Sequence, residues 1–531
     1  MGLNAEQLQA VNSNSDRILC LAGAGAGKTA TMLERISRLV KDGEKPSSIL
    51  ALTFTNAAAA EMKERYEKQN LGAETPEFRT FHAFCYSLLC KDPAIRSALG
   101  YEDVPGIASE EQEKAIEEKA KTQCKITLTK NQLLNRAGLS KKEKYQVDLY
   151  DRAIRRIMNA ENLITFDRLN SEVARLFDGG DAATVFYKDK YKYILADEIQ
   201  DGDPHQMRFL NSFTKSNFYF TGDSLQNIYS FRGTSNEYIK ALANAPGWEK
   251  IKLFTNYRST NQICEYANKF SAKYADASYR IEMKGIRDGE DVSTVYVEGP
   301  SRYEPMDLKD IDDVLDKLND ISGTSAIICR TNKEVSHVCT YLKQQGIEFT
   351  TSKDTKIQKL IDCAISDTYA LGVFASYLSS NKYGEYIRSA SQVANPDLNW
   401  FLKLYGDNAR IKDDMKSIKR LKDISTNLFP IDDKLDEVTK EFHIKNIKRT
   451  ETDHFGVDFL KYLKEAIDDI KSSELYAGTI HSVKGLEYDN VFVMNVGSYN
   501  FRLDNEEMKN LFYVAITRAK NRLFIYKLLQ F

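Results

Sequence analysis

Residues 18–29 read Ile18-Leu19-Cys20-Leu21-Ala22-Gly23-Ala24-Gly25-Ala26-Gly27-Lys28-Thr29. The first four are apolar and predict a buried strand, and the amphipathic stretch from Thr29 to Val40 predicts a helix after the glycines. A strand, a glycine-rich loop and a helix in this order direct backbone N–H groups and a helix N-terminus at an anion. We expect Lys28 to neutralise the β- and γ-phosphates of a nucleotide and Thr29 to bind Mg²⁺. The general phosphate-loop pattern has Gly where this chain has Ala22, so the match of this stretch alone is incomplete.

A second informative stretch reads Ile194-Leu195-Ala196-Asp197-Glu198-Ile199-Gln200-Asp201. Its apolar residues predict a strand that ends in a pair of acids. We expect Asp197 to help hold the metal ion and Glu198 to orient the attacking water. Two acids at a strand end could also form a solvated turn or a helix cap, but the phosphate loop favours the catalytic interpretation. Together the two stretches predict hydrolysis of a nucleoside triphosphate.

A third polar segment follows the next apolar run and reads Phe220-Thr221-Gly222-Asp223-Ser224-Leu225-Gln226. A polar side chain at the end of a strand beside the acid pair could sense the γ-phosphate, and Gln226 is the candidate. Taken alone, this segment is more typical of an ordinary turn that contains an Asp.

Composition limits the alternatives. The 531 residues exceed one ordinary hydrophobic core, so we expect two to four domains. The hydrophobic share of 42% and the charged share of 28% are typical of a soluble globular protein. The formal net charge of −2 means that a nucleic-acid site would have to be a local patch. The cysteines form no C-x-x-C pair, which favours reduced thiols over a metal cluster. Because we find neither a signal sequence nor an apolar run long enough to span a membrane, we expect a cytoplasmic protein.

Two sets of apolar runs predict two α/β domains built on parallel sheets. The predicted strands of the first set are 17–21, 48–54, 191–196, 217–221 and 249–254. Those of the second set are 293–298, 325–329, 347–350, 475–479, 490–494 and 520–526. Each set is interrupted by a stretch that reads as helices only, which predicts a helical insertion in each domain. The predicted division is 1–85 with 166–253, insertion 86–165, then 254–351 with 471–531, and insertion 352–470.

Further motifs occur along the chain in a fixed order. They are Leu3-Asn4-Ala5-Glu6-Gln7, Thr53-Phe54-Thr55-Asn56, Thr80-Phe81-His82, Ile228-Tyr229, Phe231-Arg232-Gly233, Asn256-Tyr257-Arg258-Ser259-Thr260, Thr479-Ile480-His481-Ser482-Val483-Lys484-Gly485-Leu486-Glu487 and Tyr513-Val514-Ala515-Ile516-Thr517-Arg518-Ala519. With the three stretches above, they resemble the motifs of the UvrD/Rep/PcrA group of superfamily 1 DNA helicases, over nearly the whole chain. The resemblance implies two RecA-like P-loop domains, each with a mostly helical insertion. The second insertion is shorter here than in the familiar members.

The resemblance implies a complete ATP site with Mg²⁺. The family's own phosphate loop carries Ala at the position of Ala22, so the mismatch noted above disappears. The expected nucleotide-binding loop is Ala22, Gly23, Ala24, Gly25, Ala26, Gly27, Lys28 and Thr29.

The remaining nucleotide contacts also follow from the resemblance. Gln7 would read the adenine edge, and Tyr257 would stack on the base. Glu487 would contact the ribose. Arg258 would reach the γ-phosphate, and Arg518 would act as a second arginine finger. An Arg taken at random is more often a surface or salt-bridging residue. Because the two arginines belong to the second α/β set and Lys28 to the first, ATP would bind in a cleft between the domains.

Aromatic residues at predicted strand ends could stack on successive bases of a nucleic acid. These are Phe54, Phe81, His82, Tyr229 and Phe231, and buried packing is the alternative for each of them. The family motifs add Thr55, Asn56, Thr80, Arg232, Thr479 and His481 to the expected DNA contacts. Two basic stretches, Lys119–Arg156 and Arg410–Lys422, could contact duplex phosphates or could be solvated helix faces.

The sequence therefore predicts a motor that hydrolyses ATP and moves on single-stranded DNA. The family resemblance implies that it moves 3′ to 5′ and separates duplexes at single-strand junctions. One alternative is a DNA-stimulated ATPase that does not unwind alone but remodels protein–DNA complexes or serves a partner, such as a nuclease or a repair or replication factor. Another is a non-catalytic nucleic-acid-binding subunit, which the intact catalytic charges disfavour. We expect a functional monomer. Base stacking and phosphate contacts serve DNA and RNA alike, so they do not indicate which nucleic acid the protein prefers.

Overall fold

The computed structural model describes residues 2–69, 72, 74–128, 133, 139–229, 234, 236–297, 308–352 and 474–528. The chain divides into two compact units, which are described separately below. The first unit contains Met1–Tyr257 and Asn268–Lys284, and the second contains Arg258–Ala267 and Gly285–Phe531.

The strands are β1 Arg17–Ala22, β2 Ile49–Thr53, β3 Glu77–Thr80, β4 Gly106–Ile107, β5 Leu163–Ile164, β6 Tyr193–Ala196, β7 Asn217–Gly222, β8 Glu249–Leu253, β9 Thr255–Asn256, β10 Lys284–Gly285, β11 Ser293–Val297, β12 Ser325–Cys329, β13 Leu475–Thr479, β14 Tyr488–Val496 and β15 Ala519–Leu528. The helices are α1 Ala5–Asn12, α2 Lys28–Lys41, α3 Asn56–Glu67, α4 Phe81–Lys91, α5 Pro93–Ala98, α6 Glu110–Cys124, α7 Lys141–Ala160, α8 Phe166–Asp178, α9 Ala182–Lys190, α10 Pro204–Asn211, α11 Glu237–Asn244, α12 Asn261–Ser271, α13 Leu308–Asn319, α14 Asn332–Gln344 and α15 Glu506–Ile516. Short 3₁₀ turns include Ile199–Asp201 and Ser224–Gln226.

The first unit is built on a parallel sheet with the strand order β3-β2-β6-β7-β1-β8. Strand β1 is buried almost throughout, and its alternate residues Ile18, Cys20 and Ala22 pack in one core with Met32 and Ile36 of helix α2. Residues two apart on a strand share one face of the sheet, and residues four apart on a helix share one side of the helix, so these two sets can pack against each other. The order β6-β7-β1 places the carboxyl ends of three neighbouring strands along one edge of the sheet. The segments that follow these strands are those singled out from the sequence.

The five strands predicted for the first α/β set are confirmed, with small differences at their ends. Strand β3 was not predicted because it is a short edge strand whose sequence, Glu-Phe-Arg-Thr, has a single apolar residue. In the described part of 86–165, most residues are helical, as expected, and the two-residue strands β4 and β5 pair with each other.

The second unit is also built on a parallel sheet, with the strand order β11-β15-β14-β12-β13. Its core contains Ile327 of β12, Phe492 of β14 and Val338 of α14. The predicted strand at 347–350 is wrong: only Thr350 forms an isolated bridge, with Tyr476. The predicted second insertion lies outside the described residues except for its first residue, and so does the basic stretch 410–422. The fold class of two α/β units with parallel sheets is confirmed, whereas the exact domain division stays a prediction.

Three properties of the described residues bear on the expectations from composition. The seven cysteines among them are free thiols. The described residues include no group of three His, Cys, Asp or Glu side chains arranged to hold a metal ion. The helices in this part of the chain are each too short or too polar for a membrane span.

Candidate active site

The loop between β1 and α2 depends on glycine at two positions. Gly25 and Gly27 have φ values of +68° and +75°, which lie in the left-handed region that side chains rarely adopt. Gly27 caps helix α2, so the helix N-terminus opens directly from the loop at Lys28. A Cβ atom on Gly27 would lie 2.9 Å from Nε2 of Gln7. The glycines therefore allow the backbone of the loop to turn tightly, as phosphate binding requires.

The loop is held by residues expected to surround the base of the nucleotide. Gln7 Nε2 donates to the carbonyl of Ala26 at 3.1 Å. Asn256 Nδ2 donates to the carbonyl of Ala24 at 2.8 Å, and the backbone N–H of Tyr257 donates to the carbonyl of Gly25 at 3.0 Å. The structure thus brings the Gln7 side chain and the Tyr257 backbone to the phosphate loop.

Lys28 lies among three carboxyl groups. Its side chain is 10% exposed, and its Nζ lies 3.3 Å from Glu198 Oε2. Burial alone would lower the pKa of Lys28, but the charges of Glu198, Asp223 and Asp197 raise it above its usual value. The ammonium group is therefore charged at neutral pH and is available to bind an anion of greater charge.

Asp197 and Thr29 provide two oxygen atoms suited to a small hard cation. Thr29 Oγ1 donates to Asp197 Oδ2 at 2.8 Å, which joins the start of α2 to the end of β6. Asp197 is 3% exposed, and burial, reinforced by the charge of Glu198, raises its pKa from 3.8 to about 6. A nearby cation would favour the ionised form of such a carboxyl group. One hydroxyl, one carboxylate and the oxygens of a bound phosphate form the donor set that Mg²⁺ usually takes, so these residues fit Mg²⁺.

Glu198 has an unusual backbone. Its φ is +49° and its ψ is +41°, a left-handed conformation that costs a non-glycine residue about 1–3 kcal/mol. The conformation directs the side chain toward Lys28, to which it is paired. Strain of this kind persists where the surrounding contacts impose it, as is common at functional sites.

A buried network links Glu198 to the segment after β7. Gln200 Nε2 donates to Glu198 Oε2 at 2.6 Å, and Gln200 Oε1 accepts from the backbone N–H of Asp223 at 3.0 Å. Gln226 Nε2 donates in turn to Asp223 Oδ2 at 2.8 Å. Burial raises the pKa of Asp223, although Lys28 and Gln226 oppose the shift. Lys28, Thr29, Asp197, Glu198 and Gln226 are therefore connected around one edge of the sheet.

In the second unit, Arg258 contacts two other segments of that unit. Arg258 Nε donates to Glu487 Oε2 at 2.7 Å, and its Nη1 donates to the carbonyl of Thr517 at 3.1 Å. Burial would raise the pKa of Glu487, but hydrogen bonds and charge from Arg258 and Lys520 hold it below its usual value. Two side chains predicted to bind the nucleotide, Arg258 and Glu487, are thus paired with each other in this structure.

Arg518 is among the largest buried side chains of the described residues, with 2% exposure. Its Nε donates to the carbonyl of Val514 at 3.0 Å, its Nη1 to the carbonyl of Leu486 at 3.3 Å and its Nη2 to Thr517 Oγ1 at 3.1 Å. These contacts hold the guanidinium group beside the segment that carries Glu487.

The expected DNA contacts of the first unit cluster at the ends of β2 and β3. Thr55 and Thr80 accept from backbone N–H groups at the starts of α3 and α4, so both act as helix caps. Thr80 Oγ1 also donates to Asn56 Oδ1 at 3.4 Å. The rings of Phe54 and Phe81 are 5.6 Å apart. Phe54 is half-buried, but Phe81 is only 2% exposed, which agrees with the packing alternative for Phe81.

His82 has an aromatic partner that the sequence did not indicate. Its ring stacks on Phe166 with centroids 4.1 Å apart and planes 9° apart, and its Nε2 lies 3.1 Å from Nδ2 of Asn170. Phe166 is 52% exposed, so the pair presents an open aromatic face. Phe166 begins α8 just after its cap Thr165, a position with no periodic signal of its own.

The other DNA candidates are less closely grouped. Tyr229 is half-buried, and its backbone N–H donates to Asn227 Oδ1 at 3.3 Å. Thr479 and His481 are half-buried at the end of β13 in the second unit. Phe231 and Arg232 lie outside the described residues.

Several residues of the first basic stretch are paired within their own unit. Lys119 pairs with Glu161, Arg155 with Glu172 at 3.0 Å, and Arg156 donates to Gln123 at 2.9 Å. These contacts agree with solvated helix faces and leave the proposed duplex contact as a prediction.

Comparison with known proteins identifies the family. The UvrD/REP helicase N-terminal domain matches residues 3–246, and the UvrD-like helicase C-terminal domain matches residues 251–362 and 374–530. The chain belongs to the UvrD/REP helicase family. The family resemblance inferred from the ordered motifs is therefore confirmed.

The alignments with several named relatives cover most of this chain and most of each relative. The probable DNA helicase II homolog of Mycoplasma capricolum is 26% identical over 98% of this chain and 84% of its own length. The ATP-dependent DNA helicase PcrA of Bacillus subtilis is 26% identical over 99% of this chain and 82% of its own length. The putative ATP-dependent DNA helicase YjcD of the same organism is 26% identical over 99% of this chain and 78% of its own length. The first alignment spans 622 positions, more than the 531 residues here, so that relative has residues that this chain lacks.

Proposed function

We propose that the protein is an ATP-dependent DNA helicase that moves 3′ to 5′ along single-stranded DNA and separates duplexes at single-strand junctions. The observation that carries the proposal is the connected set of Lys28, Thr29, Asp197, Glu198 and Gln226 at the ends of three adjacent strands. Membership of the UvrD/REP family supports it, because the named relatives are DNA helicases.

The proposed roles follow from the contacts in the first unit. The loop from Ala22 to Gly27 would bind the phosphates with its backbone N–H groups, and Gln7 would select adenine. Lys28 would exchange its pairing with Glu198 for the β- and γ-phosphates. Glu198 would then accept a hydrogen bond from the attacking water, while Gln226 would contact the γ-phosphate. Each of these side chains lies at a rigid strand end or helix start, as precise orientation requires.

Thr29 and Asp197 would hold Mg²⁺ together with phosphate oxygens. When bound, the ion would neutralise charge on the transferring phosphoryl group. The hydrogen bond between the two side chains already sets their oxygen atoms close together.

The second unit would supply positive charge to the same nucleotide. We propose that ATP binds in a cleft between the two α/β domains, with Tyr257 on the base, Glu487 on the ribose and Arg258 and Arg518 at the γ-phosphate. Arg258 would leave Glu487 for the phosphate when ATP binds. Because hydrolysis removes the γ-phosphate, the attraction would then weaken and the domains would part, which converts chemistry into movement.

DNA would run across the strand ends that carry the aromatic and hydroxyl candidates. The open face of His82 and Phe166, the half-buried Phe54 and the half-buried Tyr229 offer surfaces for base stacking. Thr479 and His481 would contribute from the second unit. Stacking of this kind tolerates any base sequence, as a motor on DNA requires.

The decisive experiment for helicase activity uses matched tailed substrates. Strand separation is measured on duplexes with a 3′ tail, a 5′ tail or no tail, in DNA and in RNA, with ATP hydrolysis followed in parallel. We expect unwinding of the 3′-tailed DNA only, dependent on ATP and Mg²⁺. Unwinding of the 5′-tailed duplex alone would overturn the direction, and no response of hydrolysis to any nucleic acid would overturn the motor.

A second candidate function is a DNA-stimulated ATPase that remodels protein–DNA complexes or serves a partner nuclease or repair factor without unwinding alone. The observation that favours it is that, within the aligned region, the Mycoplasma relative has residues without a counterpart in this chain. Strong DNA-stimulated hydrolysis without strand separation on the 3′-tailed duplex would select this function.

A further inference from the structure

Gln200 occupies a buried position between two catalytic segments. It lies in the 3₁₀ turn after Glu198, and none of its surface is exposed. Its amide group makes one contact on each side: Nε2 with Glu198 Oε2 at 2.6 Å, and Oε1 with the backbone N–H of Asp223 at 3.0 Å. Gln200 therefore spans from the end of β6 to the end of β7.

The partners of Gln200 fix the orientation of its amide. A backbone N–H can only donate, so the group facing Asp223 must be the carbonyl oxygen Oε1. The amide nitrogen then faces the Glu198 carboxylate, to which it donates a charge-assisted hydrogen bond. The reverse orientation would place two acceptors together at Glu198 and two donors together at Asp223.

Two neighbouring residues, Gly222 and Asn227, restrict the position of Gln200. A Cβ atom on Gly222 would lie 2.4 Å from Gln200 Oε1, so only glycine at that position admits the amide. Asn227 Nδ2 donates to the backbone carbonyl of Gln200 at 2.5 Å and holds the turn from the other side. The absence of a side chain at Gly222 thus makes room for the amide, and the Asn227 contact holds the backbone that carries it.

Glu198 Oε2 accepts from Gln200 and also faces Lys28 at 3.3 Å. Under the proposed function, on which this inference rests, Lys28 turns to the phosphates once ATP is bound. We propose that Gln200 is a positioning residue for the hydrolysis of ATP, which holds the Glu198 carboxylate toward the attacking water after Lys28 has left it. Gln200 acts through Glu198 and touches neither nucleotide nor water.

The test separates positioning of Glu198 from simple support of the fold. In Gln200→Met both hydrogen bonds are lost, and we expect kcat with saturating single-stranded DNA to fall about 10- to 100-fold. The KM for ATP should change less than about threefold, because ATP binding uses the phosphate loop and not Glu198. Gln200→Glu keeps an acceptor for the Asp223 N–H but sets a carboxylate against Glu198. We expect its kcat to be at least as low as that of Gln200→Met.

Gln206 provides the matched control. It is a buried glutamine six positions along the chain, and its Oε1 accepts from the backbone N–H of Asp203 at 3.2 Å. Gln206→Met should lose a similar amount of stability but keep kcat within about twofold of the unaltered protein. Thermal unfolding of all variants checks that each is folded. If Gln200→Met does not fold, Gly222→Ala serves in its place, because it displaces the amide without removing it.

A second measurement tests whether the effect passes through Glu198. In single-turnover reactions of Glu198→Gln, adding Gln200→Met should change the residual rate less than about twofold, since the group being positioned is already altered. Unaltered kcat in Gln200→Glu, or a full additional loss in the double variant, would overturn the proposal. Absence of ATP hydrolysis by the unaltered protein would instead overturn the proposed function.

Discussion

At the scale of single residues, the strand ends of the first unit hold acids in an environment that disfavours their charge. Asp197 and Asp223 are both buried, and burial raises the pKa of each. Lys28 offsets part of this cost, and Glu198 adopts a strained backbone beside it. A site with such unfavourable features is typical of residues kept for chemistry and not for stability.

The unfavourable burial of the Asp197 carboxylate leads to a prediction for Asp197→Asn in the absence of nucleotide and metal. The pKa of Asp197 is raised from 3.8 to about 6, so the folded protein binds a proton more readily than the unfolded chain between these values. Stability contributed by this group therefore falls as pH rises through that window and stays low above it. The variant should gain about 1–3 kcal/mol in the free energy of unfolding at pH 8, and the gain should disappear near pH 4.

Urea unfolding at several pH values measures the gain. Asp42→Asn is a suitable control because that carboxylate is 54% exposed in an ion pair with Arg38, and its removal should change stability by less than about 1 kcal/mol. A gain in Asp197→Asn that is the same at every pH would contradict the burial argument.

Much of this residue-scale site was predictable from the sequence. Lys28, Asp197 and Glu198 each follow an apolar strand, and parallel strands end at the same edge. Gln200 was not singled out, because its two partners come from different strands and only the fold brings them together. The burial of Phe81 was likewise unresolved, since an aromatic residue at a helix start can face either solvent or the core.

At the scale of elements, helix α1 is fastened to helix α2 by a buried cation. Arg35 of α2 donates through Nη1 to the carbonyls of Ala10, Val11 and Ser13 at 2.9, 3.1 and 3.0 Å. These carbonyls lie at the carboxyl end of α1, where positive charge is favourable. Because α1 carries Gln7, the contact also fixes the residue proposed to read adenine.

We predict that Arg35→Ala lowers the free energy of unfolding by about 3 kcal/mol, since several buried carbonyls lose a charged donor. The KM for ATP should rise more than about fivefold, with a smaller change in kcat, because α1 would no longer hold Gln7 at the loop. Urea unfolding and steady-state hydrolysis measure the two effects.

Arg38 supplies the comparison for Arg35. It also donates to the carbonyls of Val11 and Ser13, at 3.0 and 3.3 Å, but its side chain is 26% exposed and paired with Asp42. Arg38→Ala should cost about 1 kcal/mol or less and leave the KM for ATP within about twofold. Equal effects of the two substitutions would show that burial of Arg35 does not matter.

The errors in the sequence-based elements have simple physical causes. Strand β3 has one apolar residue because it is an edge strand with little to bury. Residues 347–350 have a strand-like composition, yet only Thr350 pairs with a strand, in an isolated bridge to Tyr476, while Phe349 packs against the core without strand pairing. A run of apolar residues indicates that a segment is buried, whereas its pairing into a sheet depends on whether another strand lies beside it.

At the scale of the whole molecule, each unit contributes a different kind of charge to the proposed reaction. Under the proposed function, the first would supply the phosphate loop and the acids, and the second would supply Arg258 and Arg518. The ordered motifs made the family predictable, because their order along the chain survives where overall identity to a relative is only 26%. The role of the predicted insertion 352–470 was not predictable, since its sequence contains none of the ordered motifs.

We predict that Arg258→Ala lowers kcat at least about a hundredfold with single-stranded DNA present, because an arginine finger stabilises charge in the transition state. Folding should be retained, because Glu487 keeps its existing ion pair with Lys520 at 3.3 Å after Arg258 is removed. Arg502→Ala, an exposed arginine of the same unit with 53% side-chain exposure, should leave kcat within about twofold. Equal rates for the two variants would remove Arg258 from the reaction.

The central claim is that Lys28 and its acidic neighbours hydrolyse ATP in response to DNA. Steady-state ATP hydrolysis, measured with and without single-stranded DNA for the unaltered protein and for Lys28→Ala, tests it most directly. We predict that DNA raises the turnover of the unaltered protein at least about tenfold, and that Lys28→Ala folds but shows no hydrolysis under either condition. Equal turnover with and without DNA, or continued hydrolysis by Lys28→Ala, would contradict the account.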